Sequence, residues 1–251
     1  MKKILAVCCT LLPFFLLKAD TPMESRYRHF IYPQSIPQDI RKNISNNVQE
    51  FLTDLQQILA AETDDMLILV DKQHFLPDGY IPNNITPLST KRAYLINRKD
   101  LSLTETAEQA LHDMALAARQ DGVTLVVSSS YRSYIYQKNL FDRYVRESGE
   151  QEAERFSARA GTSQHQLGTV VDFGSISDEF AETRAGKWVL QNAAQYGWSL
   201  SFPKGYEKVT GYVWESWHYR YIGRAACAFQ KKWFGDIQQY MLEFIDAWKK
   251  Q

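Results

Sequence analysis

The stretch Ser163-Gln164-His165-Gln166-Leu167-Gly168-Thr169-Val170-Val171-Asp172 decides how this chain is read. It sets a histidine and a carboxylate seven positions apart. A helix would put both on one face, but Gly168 and the β-branched Thr169, Val170 and Val171 disfavour a helix. On one straight strand an odd spacing points them to opposite faces. The chain is therefore expected to bend near Gly168, with His165 before the bend and Asp172 on a strand over Thr169–Phe173. That geometry brings both side chains toward one point.

Working outward, residues 38 to 61 place Ile40, Ile44, Val48, Phe51, Leu52, Leu55, Ile58 and Leu59 at helical spacing. Met66–Val70 is a short apolar run expected as a strand, and Pro77, Gly79, Pro82 and Pro87 mark a long loop. Thr104 and Glu105 open a helix that carries Leu111 and Met114 and ends at Asp121-Gly122. Val123–Val127 reads as a strand, Tyr136–Val145 as a helix, residues 147 to 164 as polar connection, and Glu179–Tyr196 as a helix stopped by Gly197. Trp198–Phe202, Gly211–Val213 and Trp217–Tyr221 read as strands. Tyr240, Met241, Phe244, Ile245 and Trp248 form the apolar stripe of a final helix. Helices mixed with short, closely following strands predict an α+β fold with a small, mainly antiparallel sheet flanked by helices.

A second chemistry-bearing stretch is Trp214-Glu215-Ser216-Trp217-His218-Tyr219-Arg220-Tyr221. On a strand His218 and Arg220 share one face, and Trp217, Tyr219 and Tyr221 share the other, where aromatics pack in a core. His218 then faces a cleft, and Glu215 joins it if the chain kinks near Ser216. Two histidines and an aspartate supply three ligands for Zn2+ and leave a fourth position for water. The ion acidifies that water and polarises a carbonyl, and a nearby glutamate that is not a ligand can move its proton. Spacing alone leaves a structural reading open, because two histidines and scattered acids occur in many chains. His29, His74 and His112 have no such company; His112 reads as a helix residue and the others as surface or loop positions.

Bulk composition narrows the partners. Of 251 residues, Lys+Arg and Asp+Glu both number 29, and no basic run stands out, so nothing points to nucleic acid. Met1-Lys2-Lys3, the apolar run Ile4–Leu17 and Lys18-Ala19 have the form of a secretory signal peptide cleaved after Ala19. The run is shorter than the roughly 20 residues of a spanning helix, so no membrane span is expected after cleavage; a retained anchor is the alternative. Leu5-Ala6-Val7-Cys8 has the look of a lipoprotein box but lies too close to the lysines. Cys8 and Cys9 leave with the leader, so Cys227 is left without a disulfide partner and reads as a small buried hydrophobe. The expected organisation is a leader over 1–19, a linker and helix over 20–65, a catalytic region over 66–235 and an amphipathic helix over 236–251, in an exported protein, periplasmic or extracellular.

The ordered motifs decide between the open readings. Ser163-x-His165-Gln166-x-Gly168, Asp172 four residues on, and far downstream Glu215-x-Trp217-His218-Tyr219-Arg220-Tyr221 resemble the VanY-type D-alanyl-D-alanine carboxypeptidase family. Upstream, Leu125 to Tyr134 with Arg132, then Gln137, is similar to that family's strand and S-x-Y-R-S segment. Leu76–Pro82 resembles its opening loop, and Trp198–Gly211 its run before the last ligand. The resemblance covers roughly residues 66 to 224. It implies the fold of the zinc D-Ala-D-Ala peptidases, with His165, Asp172 and His218 as zinc ligands and Glu215 as general base. It further implies Arg132 on the scissile carbonyl oxygen, and Gln137 and Ser163 in contact with substrate. The implied reaction removes the terminal D-Ala from peptidoglycan stem peptides by attack of a metal-bound water. L,D-carboxypeptidase or endopeptidase activity on the same peptides, or a non-catalytic zinc-containing wall-binding module, are the alternatives.

Four positions depart from the family pattern. Gln164 stands where Glu is frequent, Leu167 where Thr is frequent, Ser216 where Pro is usual and Ser201 where Arg is common. Lying around the pocket, they are expected to bear on substrate preference. A different catalytic class is suggested by Ser201-Phe202-Pro203-Lys204, which has the S-x-x-K form of serine peptidases. That motif needs Ser and Lys one helical turn apart, which Pro203 and Gly205 disfavour. Ser45-Asn46-Asn47 mimics its S-x-N partner only on a predicted helix, and no Lys-Thr-Gly occurs.

Overall fold

Gly168 adopts φ 70° and ψ 14°, the left-handed conformation that costs a glycine nothing. It closes a 3₁₀ turn over Gln164–Leu167, and the chain leaves it directly into strand Val170–Phe173. The bend is where the β-branched run and the glycine required it. The computed structural model describes residues 21–63 and 65–251, so the leader expected over 1–19 lies outside the described residues.

The strands are β1 (Ile85–Pro87), β2 (Leu95–Ile96), β3 (Ser102–Thr104), β4 (Val126–Ser129), β5 (Val170–Phe173), β6 (Trp198–Leu200) and β7 (His218–Tyr221). The main sheet has five strands in the order β2-β4-β5-β7-β6, and β1 and β3 form a separate pair. Only the β2–β4 pairing is parallel within the main sheet; β4–β5, β5–β7 and β6–β7 are antiparallel. The helices are α1 (Pro22–Arg28), α2 (Gln38–Asn46), α3 (Val48–Ala60), α4 (Glu105–Gln120), α5 (Tyr134–Ser148), α6 (Glu150–Phe156), α7 (Arg184–Asn192), α8 (Glu207–Thr210), α9 (Arg224–Trp233) and α10 (Gln238–Lys250). The fold is α+β, a small and mainly antiparallel sheet flanked by helices.

Alternation along the strands divides polar from apolar. Val171 and Phe173 of β5 and Tyr219 of β7 join Val127, Trp198, Leu111, Met114 and Val189 in one core beneath α4 and α7. Asp172 and His218 point to the opposite face, paired in register. A second core is helical. Phe51 of α3 lies within 5.1–6.4 Å, ring to ring, of Phe229, Trp233, Phe234 and Phe244. Ile44, Leu55, Cys227, Met241 and Trp248 complete it, so α2, α3, α9 and α10 form one apolar block at the end of the sheet. Among the described residues no helix is long and apolar enough to cross a membrane.

Several local expectations differ from the structure. Met66–Val70 is not a strand: the carbonyls of Met66 and Ile68 accept bonds from Arg220 Nη2 at 2.9 and 2.8 Å, which replace ladder bonds. Its buried apolar character is real, but a short run of that kind does not distinguish strand from packed loop. The helix expected over 38–61 breaks at Asn47, whose φ of −134° and ψ of 38° leave the helical region. The segment 20–36 contains α1, started by a capping box of Thr21 and Glu24, and 147–164 contains α6. Gly211–Val213 follows the short α8 and forms no strand. The helix expected over 179–196 is interrupted at Thr183, which caps α7 by accepting the Gly186 N–H. Gly186 makes this possible, because a Cβ there would stand 2.0 Å from the Phe180 carbonyl oxygen.

Candidate metal centre and active-site cleft

The sheet register assembles the centre. Asp172 pairs with His218 across β5–β7 and with Ser129 across β4–β5. The turn before Gly168 then folds His165 over them. His165 Nε2 lies 3.3 Å from Asp172 Oδ2, and His218 Nδ1 lies 3.2 Å from Asp172 Oδ1. One ligand atom from each of the three residues lies within 4.8 Å of the others, and all three residues are buried. A tetrahedral Zn2+ with bonds of about 2.0–2.1 Å holds its ligand atoms about 3.3 Å apart. Asp172 Oδ1 makes no hydrogen bond despite its position beside His218 Nδ1, the geometry of lone pairs that converge on a cation. The donor set therefore fits zinc.

The outer nitrogens of both rings are held. His165 Nδ1 is 2.7 Å from the Ser130 carbonyl, so it carries the proton and leaves Nε2 free. His218 Nε2 is 3.2 Å from Gln164 Oε1, which directs Nδ1 inward. Burial is the largest influence on His165 and, with Arg132 nearby, lowers its pKa to about 4, so the ring is neutral at pH 7. Burial also disfavours the charged form of His218, but Asp172 and Glu215 outweigh it and raise the pKa to about 9. Burial would raise the Asp172 pKa, yet the two histidines hold it well below the usual carboxylate range.

Glu215 sits in the turn before β7, its amide bonded to the Phe202 carbonyl and its Oε2 3.3 Å from His218 Nδ1. Burial raises its pKa, opposed by His218, which suits a group that must accept a proton and release it. Arg132 follows β4 and reaches back across the centre. Its Nη2 bonds Asp172 Oδ2 at 3.0 Å and Ser129 Oγ at 2.9 Å, and Nη1 approaches Gln137 Oε1 at 3.4 Å.

These groups line a cavity of about 320 Å³, with Ser163 and Gln164 on its polar side and Tyr144, Phe156, Phe202 and Trp217 on its apolar side. A larger cleft of about 700 Å³ lies between α3 and α4, but no histidine lines it. Gln137 is not on the cavity wall. It is fully buried, and its amide is committed to Ala158 O, at 2.7 Å, and to Arg132, so direct substrate contact gives way to support of the arginine. Ser163 does line the cavity and also caps the 3₁₀ turn, accepting the His165 N–H at 3.3 Å. Ser129 was not anticipated as part of the centre; its position became meaningful only through the β4–β5 register.

The serine-peptidase arrangement does not form. Ser201 Oγ bonds Gln164, while Lys204 Nζ lies 4.9 Å over the Trp214 ring. Ser45 Oγ is turned onto its own helix, at the Arg41 carbonyl. Away from the centre, His74 pairs with Asp71 and His112 accepts the Ala93 amide, both structural roles.

Comparison with known proteins agrees with this geometry. Residues 100–224 match the model of the VanY family, D-alanyl-D-alanine carboxypeptidase, a span that includes every residue of the centre. The putative carboxypeptidase YodJ of Bacillus subtilis is 34% identical over 187 residues, 70% of this chain and 68% of that protein. Among solved structures, the LdcB LD-carboxypeptidase is 32% identical with a TM-score of 0.63, over 73% of this chain and 86% of that one. A vancomycin-resistance D,D-pentapeptidase VanY, in complex with Zn(II), is 29% identical with a TM-score of 0.58, over 70% of this chain and 98% of that one. With the donor set of a zinc metallopeptidase in place on the matching fold, the chain belongs to the VanY family of D-alanyl-D-alanine carboxypeptidases.

Proposed function

We propose that this protein is an exported zinc D,D-carboxypeptidase that removes the terminal D-Ala from peptidoglycan stem peptides. The convergence of His165, Asp172, His218, Glu215 and Arg132 on one cavity carries the reading. His165, Asp172 and His218 hold the ion, which when bound supplies a Lewis acid and an acidified water for attack on the peptide carbonyl. Glu215 accepts the proton of the attacking water and delivers it to the departing amine. Arg132, held by Ser129 and Gln137, places a fixed cation where the carbonyl oxygen becomes negative. The apolar wall of Phe156, Phe202 and Trp217 excludes bulk water, which strengthens both interactions. Ser163 lines the polar side of the cavity, which supports reading it as a peptide contact. The leader-like residues 1–19 support a periplasmic or wall-associated location.

A second reading, L,D-carboxypeptidase activity, is favoured by the likeness to LdcB. Mass spectrometry of muropeptides digested with the purified protein separates the two. Loss of one alanine from pentapeptides, abolished by a chelator and by Glu215→Gln but not by a β-lactam, is the expected result. Loss of alanine from tetrapeptides alone moves the assignment to L,D-cleavage. Stoichiometric zinc with no product from any stem peptide overturns the enzymatic reading.

A further inference from the structure

At the Nε2 side of His218 lies a chain of uncharged polar groups that begins with Gln164 on the cavity wall. Gln164 Oε1 accepts from His218 Nε2 at 3.2 Å and from Ser201 Oγ at 2.7 Å. Ser201 Oγ is also 3.2 Å from the Gln238 side-chain amide, which reaches the Ser199 carbonyl at 3.4 Å. Gln164, Ser201 and Gln238 are only 6%, 2% and 1% exposed, so water does not compete for these bonds. Gln238 opens α10, which lies outside the residues matching the family model and is anchored by Phe244, Ile245 and Trp248 in the helical core.

We propose that Gln164, Ser201 and Gln238 form a neutral support that fixes the His218 ring at the metal centre, so that α10 governs how tightly the ion is held. Proton accounting sets the direction. His218 uses Nδ1 as ligand and carries its proton on Nε2, so Gln164 must present its oxygen. Ser201 has one hydroxyl proton and gives it to the shorter contact, on Gln164 Oε1. Gln238 Oε1 takes the longer branch of the same hydroxyl proton at 3.2 Å, and Gln238 Nε2 is anchored by donating to the Ser199 carbonyl at 3.4 Å. Two of the departures from the family pattern, Gln164 and Ser201, are thus in contact with each other. Both side chains are uncharged. At Nε2, therefore, His218 meets a neutral partner, while the acids Asp172 and Glu215 stand at Nδ1. These three are positioning residues: Gln238 acts on His218 only through the other two.

The inference rests on the metal assignment proposed above, and its test reads metal binding and not peptide cleavage. Zinc affinity of the purified mature chain is measured by competition with a chromophoric chelator, and site geometry by the visible spectrum of the Co2+-substituted protein. Gln164→Leu is expected to weaken zinc binding about 10–100-fold, the usual effect of losing an outer-sphere partner. Gln164→Glu, which keeps an acceptor, retains it. Gln238→Leu is expected to weaken binding about 3–10-fold and to shift the Co2+ bands. The double variant Gln164→Leu/Gln238→Leu should bind no more weakly than Gln164→Leu alone, because the residues act in series. Gln239→Leu is the control: it sits beside Gln238 on α10 but bonds Asp71 and Glu243, and it should leave affinity and spectrum unchanged. Ser201→Ala reads the same link should Gln238→Leu not fold. Wild-type affinity and bands in Ser201→Ala or Gln238→Leu, or additive losses in the double variant, overturn the proposal. A wild-type protein that binds zinc but cuts no stem peptide overturns the activity and leaves this result standing; one that binds no zinc overturns both.

Discussion

Gly168→Ala separates backbone strain from packing at the bend that builds the metal centre. The glycine holds φ +70°, where an L-residue is strained by about 1–2 kcal/mol. A Cβ at this point would stand 2.5 Å from Ile85 Cδ1, 3.1 Å from Pro82 Cγ and 3.3 Å from Thr104 Cγ2. The backbone cannot swing away freely, because Gly168 O accepts the Thr104 amide at 2.8 Å and so ties β3 to the turn. Overpacking of this kind adds about 1–3 kcal/mol, for a total of about 2–5 kcal/mol. In a chain this size each kcal/mol moves the thermal midpoint by about 2–4 °C, so the expected loss is roughly 4–20 °C. Gly79→Ala is the matched control: φ is +73° and no atom lies within 4 Å of the new Cβ, so only the strain remains. The difference between the two variants, about 1–3 kcal/mol, is the packing contribution. Ile85→Val removes the nearest atom and should restore part of the Gly168→Ala loss, a coupling read by a double-mutant cycle in differential scanning calorimetry. Equal midpoints for Gly168→Ala and Gly79→Ala, or no recovery with Ile85→Val, would refute the reasoning.

Two further outcomes follow from named contacts. Arg132→Ala should lower kcat by about 10²–10³, the usual cost of removing one oxyanion donor, with zinc content unchanged by metal analysis; if zinc is lost and kcat per bound zinc is unchanged, Arg132 serves Asp172 alone. Glu108 lies under the first turn of α4 and accepts bonds from Arg92 and Tyr94. Burial would raise its pKa, but those bonds outweigh it and the value is lowered. A depressed carboxylate stabilises the fold above its unfolded value of about 4.3, and that contribution is lost as pH falls through the folded value. Glu108→Gln should therefore cost about 1–3 kcal/mol at pH 7 and flatten the decline in midpoint below pH 4; an unchanged acid slope would show that Glu108 does not carry it.

The four departures from the family pattern acquire separate explanations once placed. Leu167 joins Val70 and Leu76 in a small apolar cluster under the opening loop. Gln164 and Ser201 meet at Nε2 of His218, and Gln164 also lines the cavity. Ser216 Oγ is buried without a hydrogen bond in the turn between Glu215 and His218, and nothing in the structure explains why a hydroxyl is there.

Some features were legible because they are decided within a few residues. The bend at Gly168 and the strand after it follow from local sterics, and α4 starts after Thr104 although the threonine hydroxyl makes no capping bond. The alternation that sends His218 one way and Tyr219 the other is a property of any strand. The VanY resemblance implied the ligand set as a pattern, without geometry, and the structure brings those three residues together. The rest needed partners far along the chain. Arg220 shares a face with His218 yet never reaches the cleft, because its Nη2 is taken by carbonyls of residues 66 and 68, more than 150 positions away. The end of Gln137 as a substrate contact follows from its bond to Ala158 O. The helix at α10, outside the family pattern, reads as an amphipathic appendage, and only its docking brings Gln238 to Ser201. Local sequence determines which conformations are cheap for a short segment. Strand register and helix docking, settled by burial of two whole cores, determine which distant polar atoms meet.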